Sequence, residues 1–199
     1  MKILITGTSG GIGGAVAQAA RSAGYEVSEV NRTDFADLAE WSAKRREEGT
    51  RFDALVFASG TCPIRPVALT ADELFEETIK VNCGLFLALM RTIVAEKLYN
   101  PAGMKAVAVS SVSATEGWPG GAAYCASKGA LSAMCRAMDA ELKTKKISVK
   151  ALEPRYVLTR MFTEGAGRMG VPASAAIEPA AFAREVLSHT RRSSESLQA

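Results

Sequence analysis

Short β-prone runs alternate along this chain with longer segments whose apolar residues recur at helical spacing. The first run, Lys2–Thr6, ends at a cluster of glycines. From Ile12 onward, Ala15, Val16, Ala19, Ala20 and Ala23 fall on or near one helix face, and Gly24 stops that helix. Residues 25–30 read as a second strand. Residues 35–48 read as an amphipathic helix, with Leu38 and Trp41 inward and Lys44, Arg45, Glu47 and Glu48 outward. Residues 53–58 make a third strand, stopped by Ser59-Gly60. Thr70-Ala71-Asp72-Glu73 has the spacing of a capping box and opens an apolar helix expected to reach about Leu98. A strand at 105–109, a helix from about 122 to 143 and a strand at 147–152 follow. Residues 161–177 are rich in Gly, Ala and Ser and read as a loop or lid over a substrate. Residues 179–189 make a last helix, and 190–199 a polar tail expected to fray. Strands that alternate with helices predict an α/β fold, a doubly wound parallel sheet covered on both faces.

Composition narrows this picture. A length of 199 residues suits one domain with a substantial core. With 48% apolar and 23% charged residues, the chain reads as soluble and globular. A net charge of +3, scattered along the chain, argues against a nucleic-acid partner. Cys62, Cys83, Cys125 and Cys135 form no CxxC pair, and His189 is the only histidine. Neither a metal site nor a disulfide framework is expected, and free thiols fit a reducing compartment. The N-terminal apolar run is too short for a signal sequence, and no segment reads as a membrane span. The expectation is a cytoplasmic protein with no membrane partner.

The turn Thr6-Gly7-Thr8-Ser9-Gly10-Gly11-Ile12-Gly13 lies between the first strand and the first helix. Phosphates need outward backbone N–H groups and no side chains in the way. Glycines and a helix N-terminus supply both, as in a Rossmann-type dinucleotide site. No lysine follows the glycines, as a Walker A loop would require. An acidic residue about 20 positions past the glycines would bind the ribose 2′-hydroxyl. Asn31 stands there instead, and Arg32 beside it is able to pair with a 2′-phosphate. The pattern favours NADP, with NAD as the alternative and a plain solvated arginine as the bland reading.

Tyr124 and Lys128 lie four residues apart, about one helical turn, and so share a face. A phenol with a pKa of about 10 is a poor base near neutrality, and an adjacent ammonium favours its ionised form. Such a tyrosine can exchange a proton with a substrate oxygen while hydride moves at carbon. Alone, a Tyr-x-x-x-Lys pair means little. Here it follows Val109-Ser110-Ser111-Val112-Ser113, where a strand runs out at the carboxyl edge of the sheet. Open parallel sheets place their ligands at that edge, and a serine there can orient the substrate oxygen.

Together these features resemble the short-chain dehydrogenase/reductase family over about residues 2–159. Gly7, Gly11 and Gly13 match its cofactor turn, which also contains Ser9 and Ile12. Ser111 precedes Tyr124 by thirteen residues, the family's spacing, and is therefore chosen over Ser110 and Ser113. The resemblance implies Tyr124 as general acid/base and Lys128 as its partner and ribose ligand. It further implies Asn82 as holder of a proton-relay water and Asp34 in the adenine pocket. Pro154, Val157 and Thr159 match the segment that contacts the nicotinamide. A homodimer or homotetramer, formed through helices near 85–90 and 131–138, is implied as well.

Three departures stand out. The family's Asn-Asn-Ala-Gly becomes Phe57-Ala58-Ser59-Gly60, which loses a sheet-bracing asparagine while leaving Ala58, Ser59 and Gly60 able to meet the cofactor through backbone. Pro-Gly becomes Pro154-Arg155, a cation that either crowds the nicotinamide or serves an anionic substrate. The chain also compresses the region between Val30 and Asp53 and ends without the family's final strand. The expected activity is NADP(H)-dependent hydride transfer to or from a small carbonyl or alcohol substrate. The alternative is a catalytically weak nucleotide-sensing or scaffold homologue. An epimerase or dehydratase fits less well, because no residues are left for a larger substrate domain.

Overall fold

The computed structural model describes residues 1–191. Strands β1 (Lys2–Thr6), β2 (Glu26–Val30), β3 (Ala54–Phe57), β4 (Met104–Val109) and β5 (Ile147–Leu152) form one parallel sheet in the order β2-β1-β3-β4-β5. The inner strands are apolar at nearly every position because both faces are covered. Side chains alternate between two cores. Ile3, Ile5, Val56 and Val107 pack against α1 (Gly11–Ser22) and α8 (Pro179–Ser188). Leu4, Leu55, Ala106 and Val149 face α3 (Leu38–Glu47), α5 (Leu85–Ala95) and α6 (Ala122–Leu142). The chain turns back between β1 and β3, so their carboxyl ends open the crevice where such sheets bind ligands.

Several elements differ from the sequence reading, each for a local reason. The helix expected over 35–48 is two pieces, α2 (Arg32–Ala36) and α3, broken at Asp37. Asp37 accepts from the Glu40 amide at 2.9 Å, a capping bond that competes with helix continuation. The Thr70 capping box does not form. The helix α4 (Asp72–Ile79) is capped at Ala71, and Thr70 Oγ1 donates to Pro66 O at 3.1 Å. The expected helix to Leu98 ends at Ala95 and passes through one π turn, Lys80–Gly84.

The stretch Asp72–Ala95 does reach the length and mean hydropathy, 1.4, of a membrane-crossing helix, contrary to the sequence reading. Phe86, Leu89, Met90 and Ile93 are fully or almost fully buried against the sheet, so its α5 part packs as a core helix. The expected loop at 161–177 contains α7 (Arg160–Glu164) and a short turn at Ala173–Ala175. Thr190, expected to fray, is buried and donates to Leu187 O at 2.8 Å. Residues 192–199 of the expected tail lie outside the described residues.

Candidate active site

Three carboxyl-end loops build the site. The first is the glycine turn. Gly7 adopts φ +70°, and a Cβ there would sit 2.7 Å from Ala58 O. α1 has no side-chain cap and no acidic residue in its first turn. Among the described residues, the amides of Gly11, Ile12 and Gly13 have no protein acceptor. Three free N–H groups at a positive helix end fit the pyrophosphate of a dinucleotide. Gly11, Ile12 and Gly13 line an open cleft of about 880 Å³, together with Ala58, Gly60 and Thr159. Ser9 is exposed in the same turn but does not line the cleft.

The second is the segment after β3. The lost asparagine is replaced by a different brace. Thr6 Oγ1 accepts from the Ala58 and Ser59 amides at 3.2 Å each and from the Ser59 hydroxyl at 2.9 Å. Asn82, on the π turn, is fully buried. Its Oδ1 accepts from the Thr61 amide at 2.7 Å, and its Nδ2 donates to Thr61 O at 2.9 Å and Ser127 Oγ at 2.8 Å. Both N–H groups are therefore spent on protein. The side chain pins the 58–61 segment to α6.

The third is the segment after β4 together with the start of α6. Three serines stand there, each with a protein partner. Ser110 bonds Lys128 O at 3.2 Å and the Ser132 hydroxyl at 2.8 Å, and Ser113 accepts the Trp118 indole N–H at 3.1 Å. Ser111 caps the following turn through the Ser113 amide, and its hydroxyl acts on Tyr124 to favour the phenolate. Ser111, Tyr124 and Lys128 line one cavity of about 260 Å³, along with Ser59, Pro154 and Val157. This cavity joins the dinucleotide cleft along Gly60 and Thr159. Thr159 caps α7 and lies over the glycine turn, where a Cβ on Gly11 would meet its Cγ2 at 2.5 Å.

Electrostatics differ from the simple expectation. Lys128 Nζ donates to Val109 O at 2.9 Å and lies 5.7 Å from the Tyr124 ring centroid. Burial pulls Lys128 down to about 8. Burial also pushes the Tyr124 hydroxyl well above its ordinary value. The Cys62 and Cys125 thiols raise it as well, and the Ser111 hydrogen bond opposes them. Desolvation dominates in this arrangement, so Tyr124 stays protonated.

The Lys128 shift predicts a pH signature in stability. Unfolded, the amine titrates near its ordinary 10.5, so between about 8 and 10.5 the unfolded chain binds more protons and stability rises with pH. Below 8 the buried ammonium carries its full penalty. Lys128→Met should be more stable than wild type below pH 8, with the gap shrinking above it. Urea melts of both proteins from pH 7 to 9.5 check this, and a gap that is constant with pH would refute it. Thiol titrations are largely shared by both proteins and drop out of the difference.

Sequence and structure part company at β2. Asn31 and Asp34, assigned to the cofactor, are joined in a capping box. Asn31 Oδ1 accepts from Thr33 N at 2.9 Å and Asp34 N at 3.3 Å, and Asn31 N donates to Asp34 Oδ2 at 2.8 Å. Their side chains are occupied by α2 itself. Arg32, between them, is exposed and has no side-chain partner among the described residues. Glu29 went unnoticed in the sequence. It accepts the Thr8 hydroxyl at 2.5 Å and Arg21 at 2.6 Å, bonds that hold its carboxyl below the usual range. Its register opposite Ile5, one residue short of the strand end, was the available signal.

The family model described as enoyl-(acyl carrier protein) reductase matches residues 1–189. The chain belongs to this family and with it to the short-chain dehydrogenase/reductases, NAD(P)-dependent oxidoreductases of carbonyl and hydroxyl groups. L-xylulose reductase of Bos taurus is 28% identical over 178 residues, covering 80% of this chain and 73% of that protein. A 3-oxoacyl-(acyl-carrier-protein) reductase of Rickettsia conorii is 28% identical over 177 residues, covering 79% and 73%. Among solved structures, 4-hydroxyisoleucine dehydrogenase complexed with NADH superposes with a TM-score of 0.84 at 20% identity, over 98% of this chain and 93% of that one. A 3-ketoacyl-(acyl-carrier-protein) reductase of Brucella melitensis complexed with NADH gives 0.79 at 24% identity, over 92% and 88%. These superpositions establish the doubly wound Rossmann fold.

Proposed function

We propose that the chain is an NADPH-dependent reductase of a small carbonyl substrate, with Tyr124 as the proton donor. The observation that carries this reading is the cavity that unites Ser111, Tyr124 and Lys128 and opens into the glycine-turn cleft. The bound nicotinamide dinucleotide supplies the hydride. Tyr124 gives its hydroxyl proton to the substrate oxygen as charge builds there. Ser111, whose hydroxyl acts on Tyr124, orients that oxygen. The Lys128 ammonium stabilises the tyrosinate as it forms.

The preference for NADPH rests on Arg32. Its guanidinium is free at the start of α2, beyond the carboxyl end of β2, where a 2′-phosphate is able to form charge-assisted bonds. Glu29 is already neutralised by Arg21 and Thr8. Arg32→Ala should weaken NADPH binding roughly 10- to 100-fold and leave NADH binding within a few-fold. Titrations of both cofactors, read by intrinsic fluorescence, check this, and equal losses for both would refute the assignment. NADPH consumption across a panel of small aldehydes and ketones tests the activity itself, and no turnover of any member counts against it.

Free thiols at Cys62, Cys83, Cys125 and Cys135 support a reducing, cytoplasmic setting. Exposed Phe75 on α4 and Leu87 on α5 support self-association through those helices.

A further inference from the structure

Arg155 replaces the small residue of the family pattern directly after Pro154, where the chain leaves β5. Its side chain does not fold over the glycine turn. It reaches across the mouth of the 260 Å³ cavity and grips Glu116 with both fork nitrogens, Nη1 to Oε2 at 2.9 Å and Nη2 to Oε1 at 2.5 Å. Both residues line the cavity that contains Ser111 and Tyr124. Much of the remaining wall is apolar, with Trp118, Phe162, Met169 and Val171 among its residues.

We propose that the substrate carries a carboxylate, and that Arg155 receives it by exchange with Glu116. This assignment rests on the oxidoreductase reading of the same cavity. A planar guanidinium binds any carboxylate through the same two-point fork, so Glu116 marks the geometry that a substrate acid would adopt. Arg155 and Glu116 are 57% and 48% exposed. A pair this open is weakly held, and Glu116 can be released into water at little cost. An incoming acid keeps the fork and adds contact between its carbon chain and the apolar wall. Arg65 and Arg168 at the rim of the adjoining cleft add a positive field that draws anions inward.

The competing view makes the pair a strap that only ties the Glu116 loop to the Arg155 loop. The two views give opposite signs for Glu116→Gln. Exchange predicts tighter acid binding once the internal competitor is gone. A strap predicts a looser cavity and weaker binding of acids and neutral molecules alike.

The test is calorimetric titration of the full chain, with NADP⁺ present, using hexanoate and its neutral counterpart hexanamide. Wild type should prefer hexanoate. The hexanoate-to-hexanamide affinity ratio should rise several-fold in Glu116→Gln and fall roughly tenfold or more in Arg155→Ala. Arg155→Lys, which keeps the charge and loses the fork, should fall between. A ratio that is the same in all four proteins, a ratio that drops in Glu116→Gln, or no hexanoate binding at all would overturn the proposal. NADPH turnover of oxo acids and of neutral ketones, run alongside, separates the two readings. Turnover without acid preference sinks the carboxylate site alone, and acid preference without any turnover sinks the reductase reading instead.

Discussion

Tyr124→Phe should lower turnover roughly 10²- to 10⁴-fold while NADPH still binds. The substitution removes one oxygen and leaves a ring of nearly the same shape at the start of α6. That oxygen belongs to a tyrosine that lines the cavity with Ser111, and burial keeps its proton on. Ser110 and Ser113 are held by other partners, and Lys128 donates to Val109 O. Ser111→Ala should cost less, because it removes an orienting hydrogen bond and not the proton. Steady-state rates with NADPH, together with a separate cofactor titration of each variant, decide the matter. A Tyr124→Phe enzyme with near-wild-type turnover would remove the tyrosine from the mechanism. Joint loss of turnover and cofactor binding would mean the variant damaged the cleft and said nothing specific about the proton.

The strand–helix alternation was legible above all at β1, β3 and β4, short apolar runs closed within two residues by glycine or serine, whose two covered faces leave no polar alternation to confuse the reading. Breaks inside helices were not legible. The π turn at Lys80–Gly84 lies within an unbroken apolar pattern, and its cause is three-dimensional. Asn82 has to reach Thr61 and Ser127, 21 and 45 residues away, and the extra residue in the turn accompanies that reach. The split at Asp37 had a signal, an aspartate three residues before Glu40, but helical periodicity outweighed it in the reading.

The site shows the same division. The choice among Ser110, Ser111 and Ser113 rested on spacing, and all three hydroxyls make protein contacts, with Ser111 the one that acts on Tyr124. Asn31 was assigned by its distance from the glycines and Asp34 by the family resemblance, yet Asn-x-x-Asp is also a capping pattern, and the local bonds are made. Local hydrogen bonds of this kind compete with ligand roles at every helix start. The Glu116–Arg155 pair joins residues 39 apart on two loops, and no linear pattern announces it. The sequence left Arg155 with two roles, and the fork toward Glu116 shows which way it points.

Gly13→Ala should abolish tight dinucleotide binding and lower stability, and the reason is not the one a phosphate-binding motif first suggests. A Cβ at Gly13 would collide with Gly7 O, lie 2.6 Å from the Gly7 carbonyl carbon and 2.9 Å from Thr6 O. All three are backbone atoms of β1 and its turn, so none can swing aside as a side chain would. To admit the methyl group, α1 must lift from the end of β1. The Gly11, Ile12 and Gly13 amides move with it, and the cradle opens. Breaking one charge-assisted N–H bond to the pyrophosphate should weaken binding roughly 10- to 100-fold. The forced fit itself should cost about 1–3 kcal/mol. Gly24→Ala is the control. It meets nothing within 4 Å but sits at φ +76°, so it should destabilise by a comparable ~1–2 kcal/mol and leave binding intact. Thermal melts and NADPH titrations of both variants separate the effects. If Gly24→Ala loses the cofactor as fully as Gly13→Ala, the loss follows stability alone. If Gly13→Ala binds normally, the helix and turn can part without opening the site, and close packing of α1 on β1 is not what holds the cradle in place.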